Sequence, residues 1–380
     1  MDYARVVDEI FSQIRGVNFD IQLWDGKKLQ YGQGRNKDFR LIIEDEWTAK
    51  RLLSQGALGF GESYMDGKLR VEGDLEAYLR LRHQFKAIKP SLRLAVAAFL
   101  AARSVPKDTM EQISYHYDLG NDFFKLILDH KTMSYSCGLY LNGKEPLDVA
   151  QQNKIKMVCA WLDLPRGAKV LDLGCGWGGF ASYAAMNHKW WITSCTLSKE
   201  QLNYCKELVK THSLQKYVNL QYRDMLVDLP DEKFGAIVML ESIEHVGKQR
   251  LEPFIQKLYD RLKPGGVLYI QTTGRYKPKM PDKWTLKYVF PGGYLPAQQE
   301  LVDFSSSAGF ELRKLIDGTP DYILTLSEWI KRLESNRSGI ENMFDPTFYR
   351  LWELWMRGAK VAFEVRSMGL FRIELRKPTR

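Results

Sequence analysis

Hydrophobic positions in this chain change their spacing near residue 146. Before it, apolar residues recur at helical intervals in separate pieces. Val6, Val7, Ile10, Phe11 and Ile14 mark a helix over Tyr3–Ile14, and Glu46–Leu53 and Asp74–Phe85 mark two more. Turn signals at Asp25-Gly26-Lys27 and Gly32-Gln33-Gly34 separate short strands. Gln55–Gly67, rich in Gly and aromatics, reads as a loop with a short helix. From Pro146 the rhythm is different. Continuous apolar runs at Lys169–Gly174, Trp190–Thr196, Val218–Arg223, Phe234–Leu240 and Gly266–Thr272 alternate with helix patterns at Pro146–Leu162, Phe180–Asn187, Ser198–Thr211 and Leu251–Leu262. Unbroken apolar strands between helices predict a parallel sheet covered on both faces. Strands at Phe310–Ile316 and Phe371–Arg376 follow, with helices at Leu324–Leu333 and Phe348–Glu364 between them. The last strand is expected to add an antiparallel edge to the sheet.

Ser91–Ala102 is apolar and only twelve residues long. A bilayer span needs ~20 apolar residues, so this stretch is too short to cross. Lys86, Lys89, Arg93 and Arg103 surround it. It suits a helix lying on a membrane surface, although short apolar runs more often pack inside a protein, and a buried inter-domain helix is the preferred expectation. Ser104-Val105-Pro106-Lys107 marks a hinge. The division expected is residues 1–103, a linker at 104–110, and residues 111–380.

Composition narrows the class. With 45% hydrophobic and 27% charged residues among 380, the chain is globular and long enough for two domains. Five cysteines without a C-x-x-C pair give neither a disulfide framework nor a zinc site. No metal is expected, and a reducing cytoplasm is the simplest compartment. A formal charge of +9 fits either a thermostable or simply basic surface or an anionic partner, nucleic acid or phospholipid. No Lys/Arg block or RNP-type motif is present, which turns the expectation from nucleic acid to lipid.

The chemistry gathers at the strand ends, where open parallel sheets bind ligands. Val170-Leu171-Asp172-Leu173 runs into Gly174-Cys175-Gly176-Trp177-Gly178-Gly179, a glycine-rich turn that brings backbone close to a ligand. The turn fits G-x-G-x-x-G. However, the second strand ends in Ser194-Cys195-Thr196 with no acid to hold a ribose, which argues against a nicotinamide cofactor. Apolar-Asp-x-Gly-x-Gly-x-Gly is the pattern of S-adenosylmethionine (AdoMet) methyltransferases. Asp172 would order the turn or hold an ammonium group, Gln201 would take the ribose hydroxyls, and Asp224 the adenine amino group. The strand-end rule also points to Glu241–Gly247 and Thr272–Gly274.

Five motifs then occur together and in order: His116-Tyr117-Asp118-Leu119-Gly120-Asn121-Asp122, Tyr135-Ser136-Cys137, the turn at Leu171–Gly179, Thr196-Leu197-Ser198-Lys199-Glu200-Gln201 and Glu244-His245-Val246-Gly247. Over residues 110–380 the chain resembles the cyclopropane fatty acid synthases and the related mycolic-acid enzymes. Gly56–Gly67 resembles the glycine-rich stretch of their N-terminal lipid-binding domain. The resemblance implies a Rossmann-like AdoMet-dependent domain with a seven-stranded, mostly parallel sheet, and a small, mainly helical N-terminal domain. It implies cofactor contacts drawn from Tyr135, Ser136, Asp172, Gly174, Cys175, Gly176, Trp177, Gly178, Thr196, Leu197, Ser198, Gln201, Arg223 and Asp224. It implies methyl transfer to the cis double bond of an unsaturated phospholipid acyl chain, and ring closure once a bound bicarbonate has taken a proton. The bicarbonate would be held by Cys137, Glu244, a His, a backbone amide and Tyr322. A homodimer, peripherally bound at the inner face of the membrane, is expected from the same likeness.

One departure bears on the product. The family's His falls at Gln271, and Thr273 replaces an aliphatic residue whose amide is used. Gln donates an N–H but cannot become cationic. Loss of a different proton would give a methylene- or methyl-branched chain instead of a ring. An alkene needs a strong electrophile held in line, and the cation formed needs a dry, aromatic pocket. Tyr117, Tyr135, Trp284, Tyr288, Phe290 and Tyr294 are the expected lining. Asn121 or Asp122 is the expected cap of the helix running to Leu128. Two other functions fit less well: methylation of a soluble amine, and AdoMet-regulated lipid binding without catalysis.

Overall fold

The alternation of apolar and polar residues between 19 and 73 resolves into four short strands: β1 (Phe19–Gln22), β2 (Lys28–Tyr31), β3 (Phe39–Ile43) and β4 (Leu69–Gly73). They form one sheet in the order β2-β1-β3-β4, with only β1 and β3 parallel. Six helices accompany it: α1 (Tyr3–Phe11), α2 (Glu46–Gln55), α3 (Ala57–Met65), α4 (Leu75–Arg80), α5 (Arg82–Phe85) and α6 (Leu92–Ser104). Asp2, Asp45 and Asp74 start α1, α2 and α4 by accepting the backbone N–H three residues on. The computed structural model describes residues 1–34, 36–85, 87–104 and 120–379. Nearly all of the expected linker, and His116 and Tyr117, lie outside the described residues.

The glycine-rich stretch, expected as a loop with a short helix, is helix α3 over Ala57–Met65, entered directly from α2 at Gly56. Its glycines permit close packing. A Cβ on Gly59 would sit 2.3 Å from the Arg51 carbonyl oxygen, and one on Gly61 2.2 Å from Cδ1 of Trp284. Trp284 comes from far along the chain, and this alters the expected division. The chain forms two compact units. The first comprises Met1–Tyr115 together with Asp282–Pro291 and Glu334–Val361. Within it, buried Glu62 accepts from Lys287 Nζ (3.0 Å) and Tyr288 OH (2.7 Å) as well as from Arg51. Glu76 accepts from Arg357 (3.0 Å) and Lys360 (2.7 Å). A buried carboxylate left without such partners is strongly destabilising, so the two late segments are integral to this unit.

The second unit comprises His116–Pro281, Gly292–Leu333 and Ala362–Arg380. In chain order the remaining elements of the chain are α7 (Gly120–Ile127), α8 (Leu147–Leu162), β5 (Lys169–Leu173), α9 (Gly179–His188), β6 (Trp191–Thr196), α10 (Lys199–Thr211), β7 (Val218–Tyr222), β8 (Phe234–Leu240), α11 (Lys248–Arg261), β9 (Leu262–Gly274), α12 (Gln298–Ser307), β10 (Glu311–Asp317), α13 (Thr319–Ser335), α14 (Arg337–Met343), α15 (Pro346–Glu364) and β11 (Gly369–Arg376), of which α14 and most of α15 fall in the first unit. The sheet order is β10-β11-β9-β8-β5-β6-β7. β5 to β9 are mutually parallel, as the apolar runs predict. β11 is antiparallel but not an edge: it lies between β9 and β10, and β10 takes the edge. Alternate residues enter two cores. Leu171, Ile237, Met239, Leu268 and Ile270 face one, and Val170, Ala236, Val238, Val267 and Tyr269 the other. Burial on both faces is why these strands read as unbroken apolar runs.

Candidate active site

β5 delivers the chain to a turn in which Gly174, Gly176 and Gly178 have φ of +77°, +52° and +81°. This left-handed region costs other residues ~1–2 kcal/mol each. At Gly174 space matters as well, since a Cβ there would lie 2.5 Å from Cβ of Ser242. The amides of Gly174 and Cys175 both donate to the Cys195 carbonyl at the end of β6 (3.0 and 3.1 Å). Asp172 therefore does not order the turn. It is buried in β5, accepts only a 3.3 Å bond from Ser194 Oγ among the described residues, and is pushed up to about 7 by burial. A carboxyl in that state gains from any cation or donor brought beside it.

Beyond the turn, Asn121, Phe124, Tyr135, Trp177, Ser198 and Gln201 line a cleft in the second unit. Asn121 lies inside α7 and does not cap it. Its Oδ1 accepts from Trp177 Nε1 (2.7 Å) and so fixes the indole. Ser198 caps α10 through the Gln201 N–H, and Thr196 Oγ1 donates to Gln201 Oε1 (2.8 Å). Tyr135, Trp177, Ser198 and Gln201 of the expected cofactor set thus converge. Cys175 is half-buried in the turn and Leu197 is exposed beside it. Arg223 and Asp224 follow β7, where Arg223 pairs with Asp228 (2.5 Å) and Asp224 accepts from the Leu226 N–H (2.8 Å). Ser136 is committed elsewhere: its Oγ meets Lys154 Nζ (2.7 Å) and its carbonyl meets Gln151 Nε2 (2.7 Å), both on α8.

A second cluster forms around a residue the sequence reading did not single out. Glu241 follows directly on β8 with φ of +56°, a strained conformation for a residue with a Cβ. One carboxylate oxygen, Oε1, accepts from the Cys137 N–H (2.8 Å) and from Gln271 Nε2 (2.9 Å). The other, Oε2, accepts from Tyr322 OH (2.6 Å). Three of the donors expected to hold bicarbonate therefore hold a carboxylate of the chain itself, and the site as built does not suit that anion. The fourth, the Thr273 N–H, donates to Glu244 Oε1 (2.7 Å). The Cys137 side chain takes no part as an anion, because burial drives its thiol far up.

Two buried cations support this cluster. Arg372 of β11 is 2% exposed and donates to Gln271 Oε1 (3.2 Å), Asp321 Oδ2 (2.7 Å) and the Gly138 carbonyl (2.8 Å). It fixes the Gln271 amide with its NH2 towards Glu241. Lys154, fully buried on α8, is pulled down to about 8 by burial. Burial raises Glu241, while Tyr322, the Cys137 N–H, Gln271 and Lys154 oppose the rise. Glu244 has less help. Burial and the charge of Glu241 push it up to about 8, and its Oε2 has no hydrogen-bond partner among the described residues. Glu244 at about 8 is a neutral acid at neutral pH, beside a Glu241 that is better supplied with donors, a separation that assigns acid and base roles to a carboxyl pair. His245 is exposed.

Aromatic rings run from the cleft to Glu241. Phe124 meets Tyr135 (5.3 Å between centroids), Tyr135 stacks on Trp329 (5.4 Å), Trp329 meets Tyr322 (6.2 Å), and Tyr322 meets Phe363 (4.5 Å). Among the described residues of the expected lining, Tyr135 alone belongs to this row; Tyr117 lies outside the described residues. Trp284, Tyr288 and Phe290 are part of the first unit, where Trp284 donates to Met65 Sδ and Phe290 packs on Trp355. Tyr294 donates to Glu300 (2.6 Å).

The chain is similar to several known proteins. The family profile for mycolic acid cyclopropane synthetase matches residues 105–373, and a domain of unknown function matches residues 6–86. A probable fatty acid methyltransferase of Pseudomonas putida is 31% identical over 94% of this chain and 91% of its own. The cyclopropane-fatty-acyl-phospholipid synthase of Escherichia coli K12 is 34% identical over 85% and 84%. Among solved structures, a mycolic acid cyclopropane synthase complexed with SAH and CTAB superposes with a TM-score of 0.65, at 26% identity, over 70% of this chain and 97% of that one.

Proposed function

The chain belongs to the mycolic acid cyclopropane synthetase family, and on that premise we propose that it methylates the cis double bond of an unsaturated phospholipid acyl chain, with Glu241 taking up the proton that leaves. At the level of the family it is an AdoMet-dependent lipid methyltransferase. The positive-φ glycines, the cleft of Tyr135, Trp177 and Gln201, and the thinly compensated Asp172 suit AdoMet and would hold it. When bound, AdoMet supplies an electrophilic methyl group.

The observation that carries the proposal is the cradle around Glu241. The donors that would hold a free anion hold this carboxylate in its place, and only one of them uses Oε2. A carboxylate oxygen has two lone pairs, so Oε2 keeps one for a proton. The aromatic row excludes water from the positive charge that methylation leaves on the acyl chain, and its ring faces stabilise that charge. Hydride shift to the neighbouring carbon puts the charge on the methyl-bearing carbon. A C–H bond of the new methyl then breaks, its electrons form a C=CH2 branch on the acyl chain, and the proton goes to Glu241. The fixed position of this base and the neutral Gln271 favour the methylene branch. Ring closure is the second reading, supported by the name of the Escherichia coli relative.

Incubation with AdoMet and oleoyl phospholipid vesicles tests both. The acyl chain should gain the mass of one CH2 unit, and NMR should show olefinic CH2 protons. Ring protons instead would establish the second reading, and no mass gain on any unsaturated lipid would remove the proposal.

A further inference from the structure

Helix α6 has two opposed apolar faces. Leu94, Ala97 and Ala101 are buried and pack with Tyr3 and Val6 of α1. On the other side Leu92 (83% exposed), Val96 (41%), Phe99 (58%) and Leu100 (42%) lie open. Offsets of four, seven and eight residues put these four on one stripe. Arg103 extends the stripe, its guanidinium 4.7 Å from the centre of the Phe99 ring. Lys89 and Arg93 are exposed beside it, and residues 86–104 contain no Asp or Glu.

We propose that α6 docks flat on an anionic phospholipid bilayer. The stripe enters the boundary between headgroups and acyl chains, and Lys89, Arg93 and Arg103 meet lipid phosphates. Thirteen residues make a helix ~20 Å long, which suits lying in the interface and cannot cross it. Among the described residues no helix is long and apolar enough to span. A second copy of the chain is the poorer occupant: a two-fold contact would set this wholly basic surface against itself. Only the purpose of docking, delivery of acyl chains, rests on the function proposed above.

The test is flotation of the full-length protein with dioleoyl phosphatidylglycerol vesicles, against dioleoyl phosphatidylcholine vesicles and against molar salt. Wild type should float with the anionic vesicles and be released by salt. Phe99→Asp combined with Leu100→Asp alters only exposed side chains, and unchanged circular dichroism and melting would show that the fold survives. This double variant should lose vesicle partitioning by about tenfold or more, while its turnover on detergent-dispersed lipid stays at the wild-type level. Equal flotation of the two proteins overturns the proposal. So does a variant that turns from dimer to monomer with flotation unchanged. If wild type floats through α6 yet modifies no lipid, docking stands and the assigned reaction fails. If both proteins modify vesicle lipid equally, the reaction stands and docking fails.

Discussion

Replacing Glu241 by Gln keeps the size of the side chain and removes its charge. The carboxylate now accepts from Cys137, Gln271 and Tyr322 at 2.8, 2.9 and 2.6 Å. An amide has a single acceptor oxygen, so at least one of these donors meets an N–H, at ~1–3 kcal/mol. The chemistry loses more. A positioned general base is worth ~10²–10⁴ in rate, so kcat should fall by that factor, or ~3–5 kcal/mol in the barrier. AdoMet affinity by calorimetry should stay near the wild-type value, since the turn and the cleft are untouched. Glu241→Gly is the companion variant. Glycine relieves ~1 kcal/mol of left-handed strain, but three buried donors lose their acceptor at ~1–3 kcal/mol each, so the variant should melt lower. The emptied cradle then suits a small oxyanion, and added bicarbonate or formate should restore part of the activity. The assay is transfer of labelled methyl into acyl chains with and without the added anion. A Glu241→Gln enzyme within about threefold of wild-type kcat, well short of the hundredfold or more a base supplies, would refute the role of Glu241.

Glu244 makes stability depend on pH. Its folded pKa of about 8 lies above the unfolded value near ~4.3, so between the two the folded state binds the extra proton and stability falls as pH rises, by ~1.4 kcal/mol per unit. Glu244→Gln should flatten that slope in thermal melts taken from about pH 5 to about pH 8, with Asp172 (about 7) leaving a residue of the same sign; an unaltered slope would exclude a protonated Glu244. Gly174→Ala should lower Tm and remove the calorimetric signal of AdoMet binding, because its Cβ would meet Ser242 at 2.5 Å. Lys154→Met removes a charge that holds Glu241 down, so the acidic limb of the kcat–pH profile should move to higher pH; a limb that stays put separates Lys154 from the base.

Periodicity alone located β5 to β9, because strands covered on both faces are mostly apolar and stand out from amphipathic helices; the half-exposed edge strand β7 is the weakest of the five signals. The place of β11 was not legible, since which neighbour a strand pairs with depends on partners remote in sequence. The structure gathers Cys137, Gln271 and Tyr322 around one carboxylate, and Thr273 onto Glu244. Glu241 fell within the stretch the strand-end rule marked, Glu241–Gly247, as an acid immediately after an apolar strand, but it was given no role of its own. Attention went to Glu244 because it sits in the recognisable motif. Lys154 and Arg372 gave no signal, because a cation at a polar-looking helix position, or in a terminal strand, is ordinarily solvated. Their burial is a product of tertiary packing. Trp284 and Tyr288 erred in the opposite sense. Aromatic residues near the strand ends suggested a pocket lining, but nothing local to residues 282–291 shows that they pack against α3.

That packing has a consequence for how the protein is made. Glu76 and its partner Arg357 are 281 residues apart, and a ribosome adding ~5–20 residues per second needs roughly 15–55 s to cover the interval. For that time Glu76 waits without Arg357 and Lys360, and for a shorter time Glu62 waits without Lys287 and Tyr288, exposing surfaces that later segments cover. The nascent chain must remain open or be sheltered until residue 361 has emerged. A gene truncated anywhere before that point should yield an aggregation-prone fragment, so the N-terminal region is unsuited to transfer as a detachable module.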